Sequence, residues 1–295
     1  MVRNLEGKVA VVTGAGAGLG RAEALALARA GAAVVVNDVS EGAADVVAEI
    51  EADGGAAVAV RGDVSAGETA EELVSTAVQR FGGLHVVVNN AGVLRDRMLF
   101  TMSDQEWDDV VRVHLRGHFL LSRNAAAYWR DQYKQTGSTW GSVINTASEA
   151  FLLGAAAQPN YAAAKGGIAA LTVSTARALA RMGVRANAIC PRARTAMTAE
   201  VFGPPPEDGV DPLSTDHVAP LVVYLASPAA EAISGQVFVV HSGMVALMSP
   251  PTVEQRFDTS GPLWTQEELD KTVGSYFADR DPERVFAAAE LMSLP

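Results

Sequence analysis

The chain has 295 residues, of which 49% are hydrophobic, and a formal net charge of −11 at pH 7. This apolar fraction is sufficient for the core of a large α/β domain, and the acidic balance argues against binding to nucleic acid or to anionic membranes. The single cysteine, Cys190, excludes an internal disulfide, and with neither a signal peptide nor a membrane-spanning apolar run in the sequence we expect a cytoplasmic protein.

Short apolar runs alternate with helical patterns along residues 1–246. The periodic segments between these runs are predicted to be helices. The runs are predicted to be seven strands, at 8–13, 32–36, 56–60, 84–88, 141–146, 184–190 and 236–240. Because this alternation is typical of parallel sheets with right-handed crossovers, we predict an α/β fold. It is a Rossmann-type, doubly wound, seven-stranded parallel sheet in three αβα layers.

Two segments depart from this alternation. Residues 192–213 lack clear periodicity and contain three consecutive prolines, so we expect a flexible substrate loop within a single domain 1–246. From residue 247 the pattern changes, and Thr265 and Glu268 have the spacing of a helix-capping box. We expect residues 247–295 to form a short helical C-terminal extension that packs on the domain or on a neighbouring subunit.

A glycine-rich turn follows the first predicted strand. Thr13, Gly14, Gly18 and Gly20 fit the pattern Thr-Gly-x-x-x-Gly-x-Gly, whereas the general dinucleotide fingerprint fails because its sixth position is Leu19. Glycines there permit a tight turn and close approach of the backbone to a pyrophosphate at the helix N-terminus. The motif favours nucleotide binding over simple packing, with cofactor contacts at Gly14, Gly18, Leu19 and Gly20.

Acidic residues end the next two strands. Asp38 lies 18 residues after Gly20, where its carboxylate can accept hydrogen bonds from both ribose hydroxyls and would repel a 2′-phosphate. No cation stands beside it in the sequence, so NAD is predicted as the cofactor rather than NADP, although Asp38 would also suit a simple turn. Asp63 and Val64 are candidates for contact with adenine, and a helix cap is an equally good interpretation of Asp63.

Residues 148–165 hold the candidate chemistry. Tyr161 and Lys165 are four apart in an alanine-rich helix, so they lie on one face about a turn from each other. A nearby ammonium stabilises phenolate, and lowering a tyrosine pKa from about 10 to neutrality requires roughly 4 kcal/mol. Such a tyrosine can exchange a proton with a hydroxyl or carbonyl oxygen, which Ser148 could also bind. Taken alone, the tyrosine–lysine pair is more often a surface feature.

Together these motifs resemble the short-chain dehydrogenase/reductase family. The shared features are the glycine motif, Asp63, Asn90-Ala91-Gly92, Ser148 and Tyr161-x-x-x-Lys165, in family order and at family spacings. The resemblance implies that Tyr161 is the acid/base and that Ser148 orients the carbonyl. It implies that Lys165 binds the nicotinamide ribose and lowers the Tyr161 pKa. Further cofactor contacts are implied at Asn90, Ala91, Gly92, Pro191 and Thr195, and family members are usually homodimers or homotetramers.

Three positions depart from the family pattern. At the position of the family's helix-borne asparagine, this chain has His114. A role of the backbone carbonyl in a proton relay would survive this change, whereas a role of the side chain becomes doubtful. His114 stays a candidate catalytic position. The usual Pro-Gly after the sixth strand is Pro191-Arg192, and His241 replaces a common aspartate. Neither histidine is predicted to bind a metal ion, because clustered partner ligands are lacking.

Three local stretches carry a narrower resemblance. Val36-Asn37-Asp38, Arg95-Asp96-Arg97 and residues 113–117 are similar to the (3R)-hydroxyacyl-CoA dehydrogenase part of peroxisomal multifunctional enzyme type 2, also described as a 17β-hydroxysteroid dehydrogenase. The resemblance implies an NAD-dependent oxidoreductase that interconverts a secondary alcohol and a ketone, on a small-molecule substrate of the 3-hydroxyacyl-CoA or steroid type.

Two alternatives stay open. The first is an NADPH-dependent 3-oxoacyl-[acyl-carrier-protein] reductase, which Asp38 disfavours. The second is a catalytically silent NAD-sensing module. Proteins of that kind typically lack the tyrosine or the lysine, and this chain has both Tyr161 and Lys165.

Overall fold

The computed structural model of the protein describes residues 4–281, 284–288 and 290–291. The chain divides into two compact units, one that ends at Met248 and one that begins at Ser249. Among the described residues, none of the helices has the length and apolar character that a membrane span requires.

An eight-stranded sheet with the order β3-β2-β1-β4-β5-β6-β7-β8 forms the centre of the first unit. The strands are β1 (Val9–Thr13), β2 (Ala33–Asp38), β3 (Ala57–Arg61), β4 (Val86–Asn89), β5 (Gly141–Thr146), β6 (Val184–Pro191), β7 (Val237–His241) and β8 (Met244–Leu247). The strand order reverses between β1 and β4. In sheets of this kind ligands bind at that reversal, beyond the carboxyl ends of the strands.

The Rossmann-type parallel sheet is confirmed for β1 to β7, but the predicted count of seven strands is wrong. The eighth strand, β8, pairs antiparallel with β7 at the edge of the sheet. A two-residue turn, Ser242-Gly243, joins them, and Ser242 has a left-handed φ of 50°. Because β8 forms through this hairpin and stays partly exposed, it lacks the buried apolar run by which the other strands are recognised.

Helices cover both faces of the sheet. The helices of this unit are α1 (Gly18–Arg29), α2 (Gly42–Ala52), α3 (Gly67–Phe81), α4 (Asp104–Val111), α5 (Gly117–Thr136), α6 (Glu149–Leu153), α7 (Pro159–Leu179), α8 (Ala199–Phe202) and α9 (Ala219–Ala226). Core residues of α1, α2 and α9 pack on one face, and those of α3, α5 and α7 pack on the other. Alternate residues of each strand are therefore buried on opposite sides, which gives the predicted three layers.

In its described residues, the second unit has a helical segment made of α10 (Gln266–Leu269), a π-helical turn (Asp270–Gly274) and α11 (Ser275–Ala278). The predicted capping box is confirmed, because the Thr265 side chain accepts a hydrogen bond from the Glu268 backbone and the Glu268 carboxylate accepts one from the Thr265 backbone. Glu254 accepts hydrogen bonds from Tyr276 and Arg280, each at 3.1 Å. Packing of the extension on the domain or on a neighbouring subunit stays a prediction.

Candidate active site

The glycine-rich turn after β1 lies where the strand order reverses. Gly14 and Gly18 have left-handed φ values of 61° and 54°, which L side chains rarely adopt. A Cβ added to Gly14 would lie 2.7 Å from the Cα of Ala91, and one added to Gly20 would lie 2.5 Å from the Nδ2 of Asn90. The glycine turn and the chain that follows β4 are therefore in close contact.

Among the described residues, no N-cap side chain satisfies the N–H groups in the first turn of α1. Ala17 stands at the N-cap, where its methyl group cannot accept hydrogen bonds from the first N–H groups of the helix. Leu19 is buried in the core, so its side chain packs inward and its backbone belongs to this first turn. Thr195, beyond β6, lies beside Gly18, since a Cβ there would be 3.3 Å from the Thr195 methyl group. This cradle fits a dinucleotide pyrophosphate.

Asp38 is fixed at the carboxyl end of β2. One carboxylate oxygen accepts a hydrogen bond from the Gly16 backbone at 2.9 Å, and the other accepts from the backbone and hydroxyl of Ser40 at 2.9 and 2.8 Å. Arg61 is the β3 residue in register with Asp38. Its guanidinium donates to the Val39 carbonyl at 3.0 Å. The structure therefore places beside Asp38 a cation that is distant in the sequence.

Asp63 is engaged by protein groups at the start of α3. Its carboxylate accepts hydrogen bonds from the Ser65 backbone and hydroxyl, at 2.9 and 2.7 Å, and from Arg112 at 2.7 Å. Burial acts to raise the pKa of Asp63, but the bonds from Ser65 and Arg112 lower it below its usual value. Val64 is buried. Contact of Asp63 and Val64 with adenine stays a prediction.

Ser148, Tyr161 and Lys165 converge at the carboxyl end of β5. Ser148 is the N-cap of α6, and its hydroxyl accepts a hydrogen bond from the Ala150 backbone at 3.1 Å. Tyr161 lies in the first turn of α7, and its hydroxyl faces the Ser148 side chain, which acts to lower the Tyr161 pKa. Lys165 is buried one turn further on, where Nζ donates to the Thr146 carbonyl and lies 5.4 Å from the Tyr161 ring centroid.

The pKa of Tyr161 moves opposite to the expected direction. Burial raises the pKa to about 12 and outweighs the lowering effect of the Ser148 side chain. Burial also lowers the pKa of Lys165 to about 7, although the neighbouring Cys190 and Glu23 act to raise it. The protein groups therefore raise the Tyr161 pKa, against the expected direction, and the contribution of Lys165 to this pKa stays a prediction.

His114 supports the site as a neutral, buried side chain. It lies in a π-helical turn, Arg112–Arg116, between α4 and α5. Its Nε2 is 3.0 Å from the Val93 nitrogen and 2.8 Å from the Val93 oxygen, and its ring meets the Tyr161 ring edge-on at 5.1 Å. Burial and the charge of Lys165 lower the pKa of His114 to about 3.

Gly92 makes room for this histidine. A Cβ added to Gly92 would lie 2.2 Å from the Cε1 of His114. His114 therefore packs between the chain after β4 and the candidate catalytic tyrosine. This packing role of the side chain is independent of the expected role of the His114 backbone in a proton relay.

Arg194 ties the ends of the segment 192–213 together. Its guanidinium donates to the Asp211 carboxylate at 2.9 Å, to the Phe202 carbonyl at 2.6 Å and to the Gly203 carbonyl. Both charged side chains of the ion pair are partly buried. The arginine thus organises the segment from within, and the predicted flexibility of the loop stays a prediction.

The family model for short chain dehydrogenase matches residues 8–204. The chain belongs to this family. Hydroxyacyl-CoA dehydrogenase ChsB1 of Mycobacterium tuberculosis is 61% identical over 98% of this chain and 94% of that protein. Peroxisomal multifunctional enzyme type 2 of Mus musculus is 43% identical over 81% of this chain but 32% of the mouse protein. A crystal structure of a short chain dehydrogenase from Mycobacterium avium is 42% identical, with a TM-score of 0.88 over 97% of this chain and 99% of that one.

As a short-chain dehydrogenase, the protein is an oxidoreductase that acts on CH–OH groups of a small-molecule substrate and uses an NAD(P) nucleotide. This agrees with the cradle around Gly14 and Gly18 and with the serine, tyrosine and lysine at its edge. The resemblance stated from the motifs is confirmed, as is the interconversion of a secondary alcohol and a ketone.

This short-chain dehydrogenase also buries a carboxyl group that sequence analysis missed. Glu23 on α1 is fully buried, and among the described residues neither of its side-chain oxygens has a hydrogen-bond partner. Burial raises its pKa to about 8, while the charge of Lys165 acts to lower it. The only sequence signal is one acidic residue on the apolar helix that follows the glycine turn, and that signal does not show which way the side chain points.

Proposed function

We propose that the protein is an NAD-dependent dehydrogenase of 3-hydroxyacyl-CoA thioesters, which it oxidises reversibly to 3-oxoacyl-CoA. The observation that carries the proposal is that Ser148 and Tyr161 face each other at the edge of the glycine cradle, with Lys165 one helical turn away. The named activity of the 61% identical mycobacterial relative supports the substrate class. Steroid alcohols are the second substrate class to test.

Bound NAD would supply the hydride acceptor, and its cationic ring would favour a phenolate nearby. The residues suited to hold it are Gly14, Gly18, Leu19, Gly20, Asp38, Asp63, Val64, Asn90, Ala91, Gly92, Tyr161, Lys165, Pro191 and Thr195. The backbone of the glycine turn and of α1 would bind the pyrophosphate, and the Asp38 carboxylate would bind the adenosine ribose.

The proton is moved by the protein's own residues. In its phenolate form, Tyr161 takes the proton of the substrate hydroxyl during oxidation and becomes a neutral phenol, which returns the proton during reduction. Ser148, which faces the tyrosine hydroxyl, orients the reacting oxygen and donates a hydrogen bond to it as charge develops. The Lys165 ammonium is held by the Thr146 carbonyl and faces the Tyr161 ring, so its charge favours the phenolate. The neutral His114 side chain packs against Tyr161 and limits the positions of its ring.

A rate assay tests the substrate class. NADH formation is followed spectrophotometrically with (3R)- and (3S)-3-hydroxyacyl-CoA of several chain lengths, with 2-hydroxyacyl-CoA as a matched control, and with hydroxysteroids. We expect turnover of one 3-hydroxy enantiomer and none of the 2-hydroxy isomers. Turnover confined to steroids would reassign the substrate, whereas tight NAD binding without turnover of any alcohol would favour the silent sensing module.

The position of Arg61 supports a second candidate function, that of an NADPH-dependent 3-oxoacyl-[acyl-carrier-protein] reductase. Its guanidinium lies at the Val39 carbonyl, next to the residue that would meet a 2′-phosphate, and it also forms an ion pair with Glu41. Asp38 opposes that use of Arg61, because a carboxylate and a phosphate would repel each other.

We expect Asp38→Ala to shift the cofactor preference towards NADP. Loss of a charged hydrogen bond, at about 1.5–3 kcal/mol, corresponds to roughly a tenfold to hundredfold fall in kcat/KM for NAD. The value for NADP should rise, because Arg61 then faces the 2′-phosphate without the opposing carboxylate. Steady-state titrations with both cofactors measure this. The exposed Asp45→Ala on α2 is the control with the same change of charge.

The double variant Asp38→Ala/Arg61→Ala separates the two effects. It should lose the gain with NADP while keeping the poor use of NAD. If Asp38→Ala changes neither cofactor, Asp38 does not determine the preference.

We also propose that the protein is a cytoplasmic homodimer or homotetramer, as is usual in this family. Light scattering of the purified protein measures the oligomeric state, and a monomer would contradict this proposal.

A further inference from the structure

Two departures from the family pattern, Arg192 and His241, meet beside the candidate catalytic serine. Arg192 follows β6 and His241 ends β7, while Glu149 follows Ser148 beyond β5. These three strands are neighbours in the sheet, with their carboxyl ends at one edge. The sheet therefore brings together residues that are 43 and 49 positions apart.

Arg192 and Glu149 form a bidentate ion pair. The Nε of Arg192 lies 2.5 Å from one carboxylate oxygen of Glu149, and Nη2 lies 2.8 Å from the other. The exposed fractions of the two side chains are 23% and 10%. The Arg192 backbone also donates to the Val240 carbonyl at 3.0 Å, which fixes the arginine to the sheet edge. Two parallel hydrogen bonds in a shielded place set the orientation of Glu149 as well as its distance.

The fixed orientation of Glu149 also constrains Ser148, the residue directly before it. Glu149 is the first residue of α6, and Ser148 is its N-cap, bonded to the Ala150 backbone. A helix of five residues has little stability of its own, because nucleation is unfavourable. An anchor from β6 to its first residue therefore holds α6, and with it the rotamer of the serine hydroxyl.

His241 completes the arrangement as a neutral neighbour. Its ring is buried, and Nδ1 lies 3.3 Å from the Ser242 hydroxyl. Burial and the charge of Arg192 lower the pKa of His241, although Glu149 acts to raise it, and this favours the uncharged ring. An aspartate at this position, common in the family, would place a second carboxylate near Arg192, whereas the neutral ring leaves the arginine on Glu149.

We propose that Arg192 is a positioning residue that acts through Glu149 to hold the Ser148 hydroxyl towards the reacting oxygen. This inference rests on the proposed catalytic role of Ser148. It gives a structural reason for the Pro191-Arg192 sequence where the family usually has Pro-Gly. It also predicts that Arg192 affects the chemical step without contributing to NAD binding.

Arg192→Lys is the variant that tests this proposal. It keeps the charge but loses the planar fork, so we expect native thermal stability with kcat lowered about 10- to 100-fold, the loss that a small misplacement causes. The dissociation constant of NAD should not change. The isotope effect on kcat with deuterated substrate should rise, because hydride transfer becomes slower relative to product release. The exposed Arg177→Lys on α7 is the matched control.

A double-mutant cycle decides whether the effect passes through Ser148. In a Ser148→Ala background, Arg192→Lys should lower kcat no further, because the oriented hydroxyl is already absent. An equal fold-loss in both backgrounds, or a wild-type kcat for Arg192→Lys, overturns the positioning role. If Ser148→Ala alone keeps wild-type turnover, the proposed role of Ser148 fails first and the inference falls with it. These outcomes are distinguishable, because only the last is seen without any change at Arg192.

Discussion

Replacing Tyr161 with phenylalanine is expected to abolish turnover while NAD affinity is retained. The substitution removes one hydroxyl from a buried ring that packs against His114 and faces Lys165, so the shape of the site is kept. Positioned acid–base catalysis contributes about 10²- to 10⁴-fold, and kcat should fall by at least that factor in both directions of the reaction. Stopped-flow or steady-state rates with the best substrate measure the fall, and fluorescence titration measures NAD binding.

The pH dependence gives this prediction an independent check. Because the protein groups raise the Tyr161 pKa to about 12, the phenol is protonated at neutral pH and must be ionised to act as a base. The rate of alcohol oxidation by the wild type should therefore rise with pH, whereas the residual rate of Tyr161→Phe should not. Tyr133→Phe, on the exposed side of α5, serves as the control. A Phe variant with wild-type kcat would remove Tyr161 from the mechanism.

Replacing Glu23 with glutamine is expected to stabilise the protein as the pH rises. The pKa of Glu23 is raised from 4.5 to about 8 in the folded state, chiefly by burial. The native state thus holds this proton more tightly than the unfolded chain, so the wild type loses stability as the pH rises from about 4.5 to about 8. At about 1.4 kcal/mol per pH unit, Glu23→Gln should gain about 3 kcal/mol over the wild type between pH 5 and pH 7.

Urea unfolding at pH 5, 6 and 7 measures this difference. The upper limit of pH 7 keeps the measurement below the window in which Lys165, with a lowered pKa of about 7, changes its own contribution. The exposed Glu51→Gln, at the end of α2, is the control and should run parallel to the wild type at all three pH values. Parallel curves for Glu23→Gln as well would show that Glu23 is ionised, or solvated, in the folded protein.

Features with a local cause were predicted from the sequence. The glycine spacing from Gly14 to Gly20, and the tyrosine and lysine one helical turn apart, follow from backbone geometry over a few residues. The seven parallel strands are apolar because both of their faces are buried, so each one can be recognised in the sequence as a continuous apolar run. The antiparallel strand β8 was missed because it depends on a hairpin at the sheet edge rather than on burial.

Features that depend on distant contacts were not predicted. Arg61 reaches the residue after Asp38 only because β2 and β3 are in parallel register. Arg192 meets Glu149 only because β5 and β6 are neighbours. The predicted direction of the Tyr161 pKa shift was wrong, because spacing along a helix reveals a nearby charge but not the loss of solvent around the phenol.

The sequence by itself determined the class of fold, the nucleotide cradle and the identity of the residues proposed to move the proton. Each of these features depends on composition and on the spacing of residues that are close in the chain. The tertiary structure decided the electrostatics of those residues and the ion pairs that hold them. Solvent exclusion and strand register arise only when segments distant in the chain pack together, and these two factors set the pKa of each buried group and the partner of each charge.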